Sequence, residues 1–407
     1  MRARFPAVLQ ATVYRCTLAA LSACAFLFAS AAHAQFVPNF QINASHAILV
    51  DYESGTVLFE KAPDEPWPPA SLAKLMTMEI VFSEIKSGEL KLEEELVVSV
   101  DAWRRGGAPA GGSTMFAPVH SRIPVVDLIQ GAVVQSGNDA CIVFAEAIAG
   151  SEDLFSRMMN ARAKELGLRS ANFRNSTGLP DPNQVISVRD LAKLASHLIR
   201  TYPEFYKFYG QPDFTWNKIR QQNRNPLLEM NIGADGLKTG YIKESGYGLV
   251  GSAVQNGQRL IVVVHGAETP KDRANDAKRL LEWGFHNFES RRIFPGGVNI
   301  TDVRVFGGDS RYVPVTGKGP IHLLTPRGGG DKIVARVHYR GPVMAPVAKG
   351  DQIARLRVMR GDNIALEVPL YAAADIGEGS LVQRALDSTT ELTGGWIRRG
   401  INKVLKN

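Results

Sequence analysis

The chain has 407 residues, 45 % of them hydrophobic and 21 % charged, with a formal net charge of +7. That balance suits two or three folded domains and excludes a chain disordered throughout, a collagen-like fibre and a polytopic membrane protein. Three cysteines without a CxxC pair exclude a disulfide framework and a thiolate zinc cluster, and no HExxH zinc-protease signature is present.

Residues 1–34 read as an export signal. Arg2 and Arg4 form a basic start, an apolar run extends from Thr17 to Ala32, and Ala32-His33-Ala34 offers small residues for cleavage after Ala34. The run falls short of the roughly 20 residues that a membrane span needs. Leu21-Ser22-Ala23-Cys24 has the spacing of a lipoprotein cleavage box, but Phe26, Leu27 and Phe28 continue the apolar run past it. Cleavage would leave Cys141 alone, so no internal disulfide is expected. Arg2, Arg4 and Arg15 leave with the signal, and Arg398, Arg399, Lys403 and Lys406 sit in the last twelve residues without an acid, so residues 35–395 are formally neutral. Charge confined to the ends does not make the basic face of a nucleic-acid binder.

Residues 35–290 alternate strand-like and helix-like stretches. A strand is predicted over Ala47–Asp51, with Gly55 in a turn before Val57–Phe59. After Pro66, Pro68 and Pro69, a helix opens at Ser71 and runs to about Lys86, with Leu72, Leu75, Met76, Ile80 and Ile85 apolar and Gly88 as C-cap. Gly106–Ser113 lacks the GxxxxGKS pattern of a phosphate cradle and reads as a mobile surface loop. Val125–Val134 and Asp139–Ala149 read as helices flanking Ser136-Gly137-Asn138, and Ser151 and Ser187 read as N-caps of two more. Leu237–Tyr241 is a candidate strand. Tyr247–Val254 and Arg259–His265 form a hairpin through Asn256-Gly257, a favoured type I′ turn, and a last helix covers about Pro270–Phe288.

From about 291 short alternating runs are split by Gly308-Asp309, Gly328-Gly329-Gly330-Asp331 and Gly361-Asp362. In Lys332–Tyr339, Ile333, Ala335, Val337 and Tyr339 share one face while Lys332, Arg336 and His338 take the other. A separate antiparallel β-sandwich over 291–380 is expected, with Arg360-Gly361-Asp362 as a turn.

Three short motifs carry chemistry: Ser71-Leu72-Ala73-Lys74, Ser136-Gly137-Asn138 and Lys238-Thr239-Gly240. Each has a decoy: Ser83–Lys86 repeats SxxK, Ser170-Ala171-Asn172 repeats SxN, and Lys86-Ser87-Gly88 is a loose copy of the third. Context favours the first set, because Ser71 opens a helix whereas Ser83 lies near its end, and Lys238-Thr239-Gly240 leads into a hairpin. A neutral serine needs a base. Lys74, one turn on, lies on the same helix face and serves as base if burial or a second cation, with Lys238 the candidate, lowers its pKa. Ser136 can relay a proton to a leaving amine and Asn138 can orient Lys74 or a substrate amide. Lys238 and Thr239 can bind a carboxylate, and backbone N–H groups near Ser71 and Tyr241 can form an oxyanion hole. His120, His197 and His265 form no triad with a GxSxG serine, which is absent; His265 reads as structural, and Cys141 as a small buried side chain.

The motif set resembles the penicillin-recognising serine enzymes, and within them the low-molecular-mass penicillin-binding proteins of the D-alanyl-D-alanine carboxypeptidase type, peptidase family S11. The likeness rests on Pro69-Ala70-Ser71-Leu72-Ala73-Lys74-Leu75-Met76-Thr77, Gln135–Cys141, Asn175-Ser176-Thr177-Gly178-Leu179-Pro180-Asp181 and Asp235–Gly240, and spans most of the mature chain. It implies an α/β (α+β) transpeptidase-like domain over 35–290, an antiparallel sheet with helices, followed by the small C-terminal sandwich. It implies Ser71 as acyl-ester nucleophile, Lys74 as proton acceptor, Ser136 as third catalytic residue and Lys238 as substrate-binding. Arg224 and Arg273 fall where such enzymes place arginines near the substrate carboxylate, and Tyr241 stands where some relatives have His.

The resemblance further implies a D-Ala-D-Ala peptidoglycan stem peptide as substrate, β-lactams as acylating inhibitors, and neither metal nor cofactor. Residues 381–407 resemble the family's C-terminal anchor: Trp396, Ile397, Ile401, Val404 and Leu405 can share one helix face among the four cations, an interfacial helix on the periplasmic side of an inner membrane. Three other readings share features of the chain. A DD-endopeptidase differs only in leaving group. A class A β-lactamase needs an ExxLN-type glutamate that the sequence lacks, and a non-catalytic envelope scaffold would use the sandwich alone.

Overall fold

The computed structural model describes residues 40–328, 333–360 and 363–385. The export-signal reading, the 396–407 helix and the Gly361-Asp362 turn lie outside these residues. Five strands, β1 (His46–Asp51), β2 (Val57–Lys61), β3 (Ala234–Ile242), β4 (Gly246–Gln255) and β5 (Gln258–Ala267), form one antiparallel sheet in the order β2-β1-β5-β4-β3. β1 is buried along its whole length and so is Leu260–His265 of β5, because helices cover both faces of the sheet. The β4–β5 turn has φ of 52° at Asn256 and 78° at Gly257, the type I′ geometry that Asn-Gly favours.

The helices are α1 (Lys74–Ser87), α2 (Val100–Gly106), α3 (Val125–Val133), α4 (Asn138–Ala149), α5 (Glu152–Glu165), α6 (Val188–Thr201) and α7 (Pro270–Asn287). Helix α1 is buried on every side from Lys74 to Phe82, as befits the central helix of a layer rather than an amphipathic surface helix. It ends where Gly88 takes a φ of 86°. Ser151 and Ser187 cap α5 and α6 by accepting from Leu154 N and Asp190 N. At Gly284 of α7 an added Cβ would press into Leu260 and Leu49, so α7 lies tight against β1 and β5.

Beyond α7 come β6 (Phe288–Phe294), β7 (Thr301–Phe306), β8 (Tyr312–Thr316), β9 (Ile321–Pro326), β10 (Ile333–His338), β11 (Val343–Met344), β12 (Gln352–Arg360) and β13 (Asn363–Ala372). β10-β12-β13-β8-β7-β11 make one sheet, β6 and β9 pair as a ribbon, and Val303, Val305, Val313, Val315, Leu323, Leu356, Val358 and Leu370 fill the core. Two features depart from the sequence reading. β7 and β11 pair in parallel, Val305 opposite Val343. β10 is an edge strand, so Ile333 stays 43 % exposed and only Val337 packs on the core.

Candidate active site

Ser71 does not sit on the α-helix proper. It lies in a 3-10 turn, Ala70–Ala73, that leads into α1, and Ala70 has a φ of 50°. Gly178 is pressed on this turn: its φ is 82°, and a Cβ there would overlap the Ala70 carbonyl. Lys74 begins α1 and is buried. Its Nζ lies 2.9 Å from Ser71 Oγ and 2.7 Å from Asn138 Oδ1, and it also donates to the Thr177 carbonyl. An ammonium has three donors, and all three are engaged. Once neutral, the same amine turns a lone pair toward one of these partners, and of the three only the Ser71 hydroxyl has a proton to give.

The second motif forms the turn between α3 and α4. Ser136 has a φ of 65°, Gly137 N donates to Gly131 O at 2.8 Å, and Asn138 N donates to Ser113 O at 2.8 Å. Ser136 Oγ is buried without a hydrogen-bond partner, two residues from the amide that touches Lys74. Asp139 ties the neighbouring loop down: its carboxylate accepts from Thr114 Oγ1 at 2.6 Å, Met115 N at 3.0 Å and Ala117 N at 3.1 Å. The Gly106–Ser113 stretch is divided. Ala108–Gly112 is exposed, while Gly106 is buried against the Asn138–Asp139 backbone, where a side chain would not fit.

The third motif lies on β3. A Cβ on Gly240 would fall 3.1 Å from Ser71 N and Pro69 O, so this strand runs alongside the Ser71 turn. Lys238, two residues earlier, shares that face of the strand. It is buried, and its Nζ donates to Thr239 O at 2.9 Å. Arg224 stands exposed beside the second motif, its Nη1 donating to Ser113 Oγ at 2.6 Å. Arg273, on the first turn of α7, lies over the Tyr247 ring. The side chain of Tyr241 is 51 % exposed and stacks on Tyr247.

Burial pushes Lys74 down to about 8, with the Arg224 charge adding to the effect. Burial also holds Lys238 well below the usual lysine range, helped by the charges of Lys74, Arg224 and Arg273. Desolvation, more than a second cation, therefore lowers Lys74. Cys141 on α4 is fully buried and its thiol is pushed up to about 11, so it packs as an apolar group. His265 is buried too, pushed down to about 4, and its Nδ1 accepts from Gly266 N at 2.8 Å. The decoy Lys86 lies on the surface at the far end of α1, donating to Thr201 O. Among the described residues no cluster of three His, Cys, Asp or Glu side chains could hold a metal ion.

Two contributors carry no motif of their own. The Thr177 carbonyl belongs to the Asn175–Asp181 segment, and Glu152 fixes that segment by accepting from Ser176 N at 3.0 Å and Ser176 Oγ at 2.7 Å while pairing with Arg105 at 2.5 Å. A backbone acceptor leaves no signature in side-chain identity. The quoted Asn175-Ser176-Thr177-Gly178 run was the available signal.

Comparison with known proteins places these features among relatives. A family model described as D-alanyl-D-alanine carboxypeptidase matches residues 30–269, and one described as penicillin-binding protein 5, C-terminal domain, matches residues 288–378. The chain is 40 % identical over 376 residues to the D-alanyl-D-alanine carboxypeptidase DacC of Escherichia coli, covering 91 % of this chain and 94 % of the relative. It is 37 % identical over 350 residues to DacA of Haemophilus influenzae, covering 85 % and 88 %. Among solved structures, penicillin-binding protein 5 from Haemophilus influenzae superposes with a TM-score of 0.77 at 38 % identity, covering 84 % of this chain and 100 % of that one. The ampicillin-bound penicillin-binding protein D2 from Listeria monocytogenes gives a TM-score of 0.55 at 32 % identity over 61 % of this chain and 100 % of that one.

Proposed function

The chain belongs to the D-alanyl-D-alanine carboxypeptidase family and is a serine-type peptidase of that class, and from this premise we propose that Ser71 removes the terminal D-alanine of peptidoglycan stem pentapeptides through an acyl-enzyme. The observation that carries the assignment is the buried Lys74 amine, within hydrogen-bond distance of Ser71 Oγ and poised near neutrality.

The substrate's C-terminal carboxylate enters between Lys238, the Thr239 hydroxyl, Arg224 and Arg273. Its negative charge favours a proton on Lys238, and the cation so formed disfavours one on Lys74. Neutral Lys74 then takes the Ser71 proton as Oγ attacks the carbonyl of the penultimate D-alanine. The backbone N–H groups of Ser71 and Tyr241 receive the oxyanion, each donor worth about 10²–10³ in rate. Ser136, whose hydroxyl is otherwise unpartnered, passes a proton to the leaving amine, and D-alanine departs. The Lys74 ammonium replaces the proton that Ser136 gave up, and the neutral Lys74 so restored deprotonates the water that hydrolyses the ester, then returns that proton to Ser71 Oγ as it leaves. A β-lactam presents an amide and a carboxylate in a similar arrangement and acylates Ser71. Asn138 keeps Lys74 in place through both half-reactions.

The same reading gives the chain four segments: an export signal over 1–34, the peptidase domain over 35–290, the sandwich over 291–380 and an amphipathic anchor over 381–407. It places the protein on the periplasmic face of the inner membrane. The direct test is D-alanine release from a Lys-D-Ala-D-Ala tripeptide by the purified protein and by Ser71→Ala. Release should fall about 10⁴- to 10⁶-fold in the variant. Unchanged release would remove Ser71 from the mechanism. Cleavage of a cross-linked muropeptide dimer with no action on the tripeptide would replace the carboxypeptidase with an endopeptidase.

A further inference from the structure

Arg259 and Arg273 of the peptidase domain lie over tyrosine rings, as Arg200 does over Tyr52, and these two differ in one respect. Arg259 covers Tyr206 at 5.4 Å and Tyr52 at 5.8 Å, and is neutralised by Asp235 through contacts of 2.8 and 2.9 Å. Arg273 lies 5.8 Å from the centre of the Tyr247 ring, and among the described residues no carboxylate accompanies it. Its Nε is buried without a hydrogen-bond partner. The first guanidinium is spent on the fold, whereas the second keeps its donors free.

Tyr247 is itself held. It stands directly opposite Tyr241 across the β3–β4 pair, and the two rings stack with centroids 4.1 Å apart and planes 24° from parallel. Such cross-strand aromatic pairs stabilise a hairpin end and restrict both rings. Tyr241 follows Gly240 at once, and Gly240 lies against Ser71 N. Ring pair and guanidinium thus form a short stack beginning beside the nucleophile turn. An aromatic face can hold a guanidinium in place without neutralising it, whereas an acid would consume both charge and fork.

We propose that Tyr247 is a positioning residue: clamped against Tyr241, it holds the unneutralised Arg273 guanidinium toward the substrate's free terminal carboxylate, and so helps the enzyme discriminate for substrates that end in an acid. This rests on the carboxypeptidase reading above. Charge reaching Lys238 from Arg273 is consistent with the guanidinium facing the site.

The test compares the Lys-D-Ala-D-Ala tripeptide with the same tripeptide capped as its terminal amide, using the full chain. In Tyr247→Leu the preference for the acid over the amide, as a ratio of kcat/KM, should fall about tenfold. The loss should appear in KM for the acid, with kcat within about twofold. Tyr247→Phe, which keeps the ring, should restore the preference. Tyr241 is half-exposed, so Tyr241→Ala tests the same stack if Tyr247→Leu does not fold, and should cost about threefold in preference. Equal losses on acid and amide, or an undiminished preference in whichever of these variants folds, would overturn the inference while leaving the carboxypeptidase in place. Wild-type protein that releases no D-alanine would overturn both.

Discussion

Lys74, Lys238 and Asp139 lie out of solvent, Lys74 and Asp139 paired with hydrogen-bond partners from distant parts of the chain and Lys238 with the carbonyl of the adjacent Thr239. In the C-terminal sheet the charges face water: Arg355 and Arg357 reach across the outer face to Glu367 at 3.0 and 2.8 Å, Arg336 stands opposite Arg357, and the interior is aliphatic. Burying an amine costs several kcal/mol unless it is partnered or gives up its proton. The peptidase region sustains that cost where the proposed reaction needs a lowered pKa, and the C-terminal sheet avoids it. Polar burial, more than size or regularity, is what separates a working region from a supporting one in this chain.

The comparison breaks most visibly at Lys74. Lys74→Arg keeps a cation but removes the proposed base, because a guanidinium does not deprotonate near neutrality. Acylation of Ser71 by a labelled penicillin should slow about 10²- to 10⁴-fold. The same assay read against pH sharpens the point. The proposed reaction needs the neutral amine, so the wild-type rate should rise with pH, about tenfold per unit, until it levels near the Lys74 value of about 8. A limb that survives in Lys74→Arg would assign the base to another group. A smaller effect is expected from Leu356→Ala in the aliphatic interior, where the cavity should cost about 2–5 kcal/mol in denaturant unfolding. Penicillin acylation should stay at the wild-type rate, and a drop would mean that the sheet supports the site. Least of all should follow from Glu367→Gln. Its ion pairs are solvent-facing, so the unfolding midpoint and D-alanine release should both hold. A clear fall in midpoint would show that the outer face is not the screened surface it resembles.

Much of this was legible in the chain itself, for reasons that differ by element. The β4–β5 hairpin declared itself because Asn256-Gly257 is one of few pairs that accept two positive φ angles. Ser151 and Ser187 were readable as caps because a hydroxyl before a helical pattern has one obvious donor to satisfy. The three motifs were recoverable, over their decoys, from where each fell on an element. What escaped was whatever depends on contact between distant segments. The Thr177 carbonyl on Lys74 is backbone, Asp139 holds a loop more than twenty residues away, and the part played by Glu152 appears only once Ser176 folds against it. In the C-terminal sheet, alternation gave β10 the right face for Val337, but periodicity says nothing of sheet order, so the exposure of Ile333 at an edge was beyond its reach.

The packing of Cys141 has a practical use for spectroscopy. It is the sole cysteine among the described residues, and with its sulfur enclosed and its thiol weakly acidic it should ignore maleimides and other alkylating labels while the fold is intact. In protein lacking residues 1–34, and with them Cys16 and Cys24, a thiol introduced at an exposed position of the β3–β4 turn, such as Lys243→Cys, could then carry a fluorophore or spin label with negligible background. A probe there would sit a few residues from both Tyr241 and Tyr247, and could report antibiotic capture in real time without removal of any native residue in the interior.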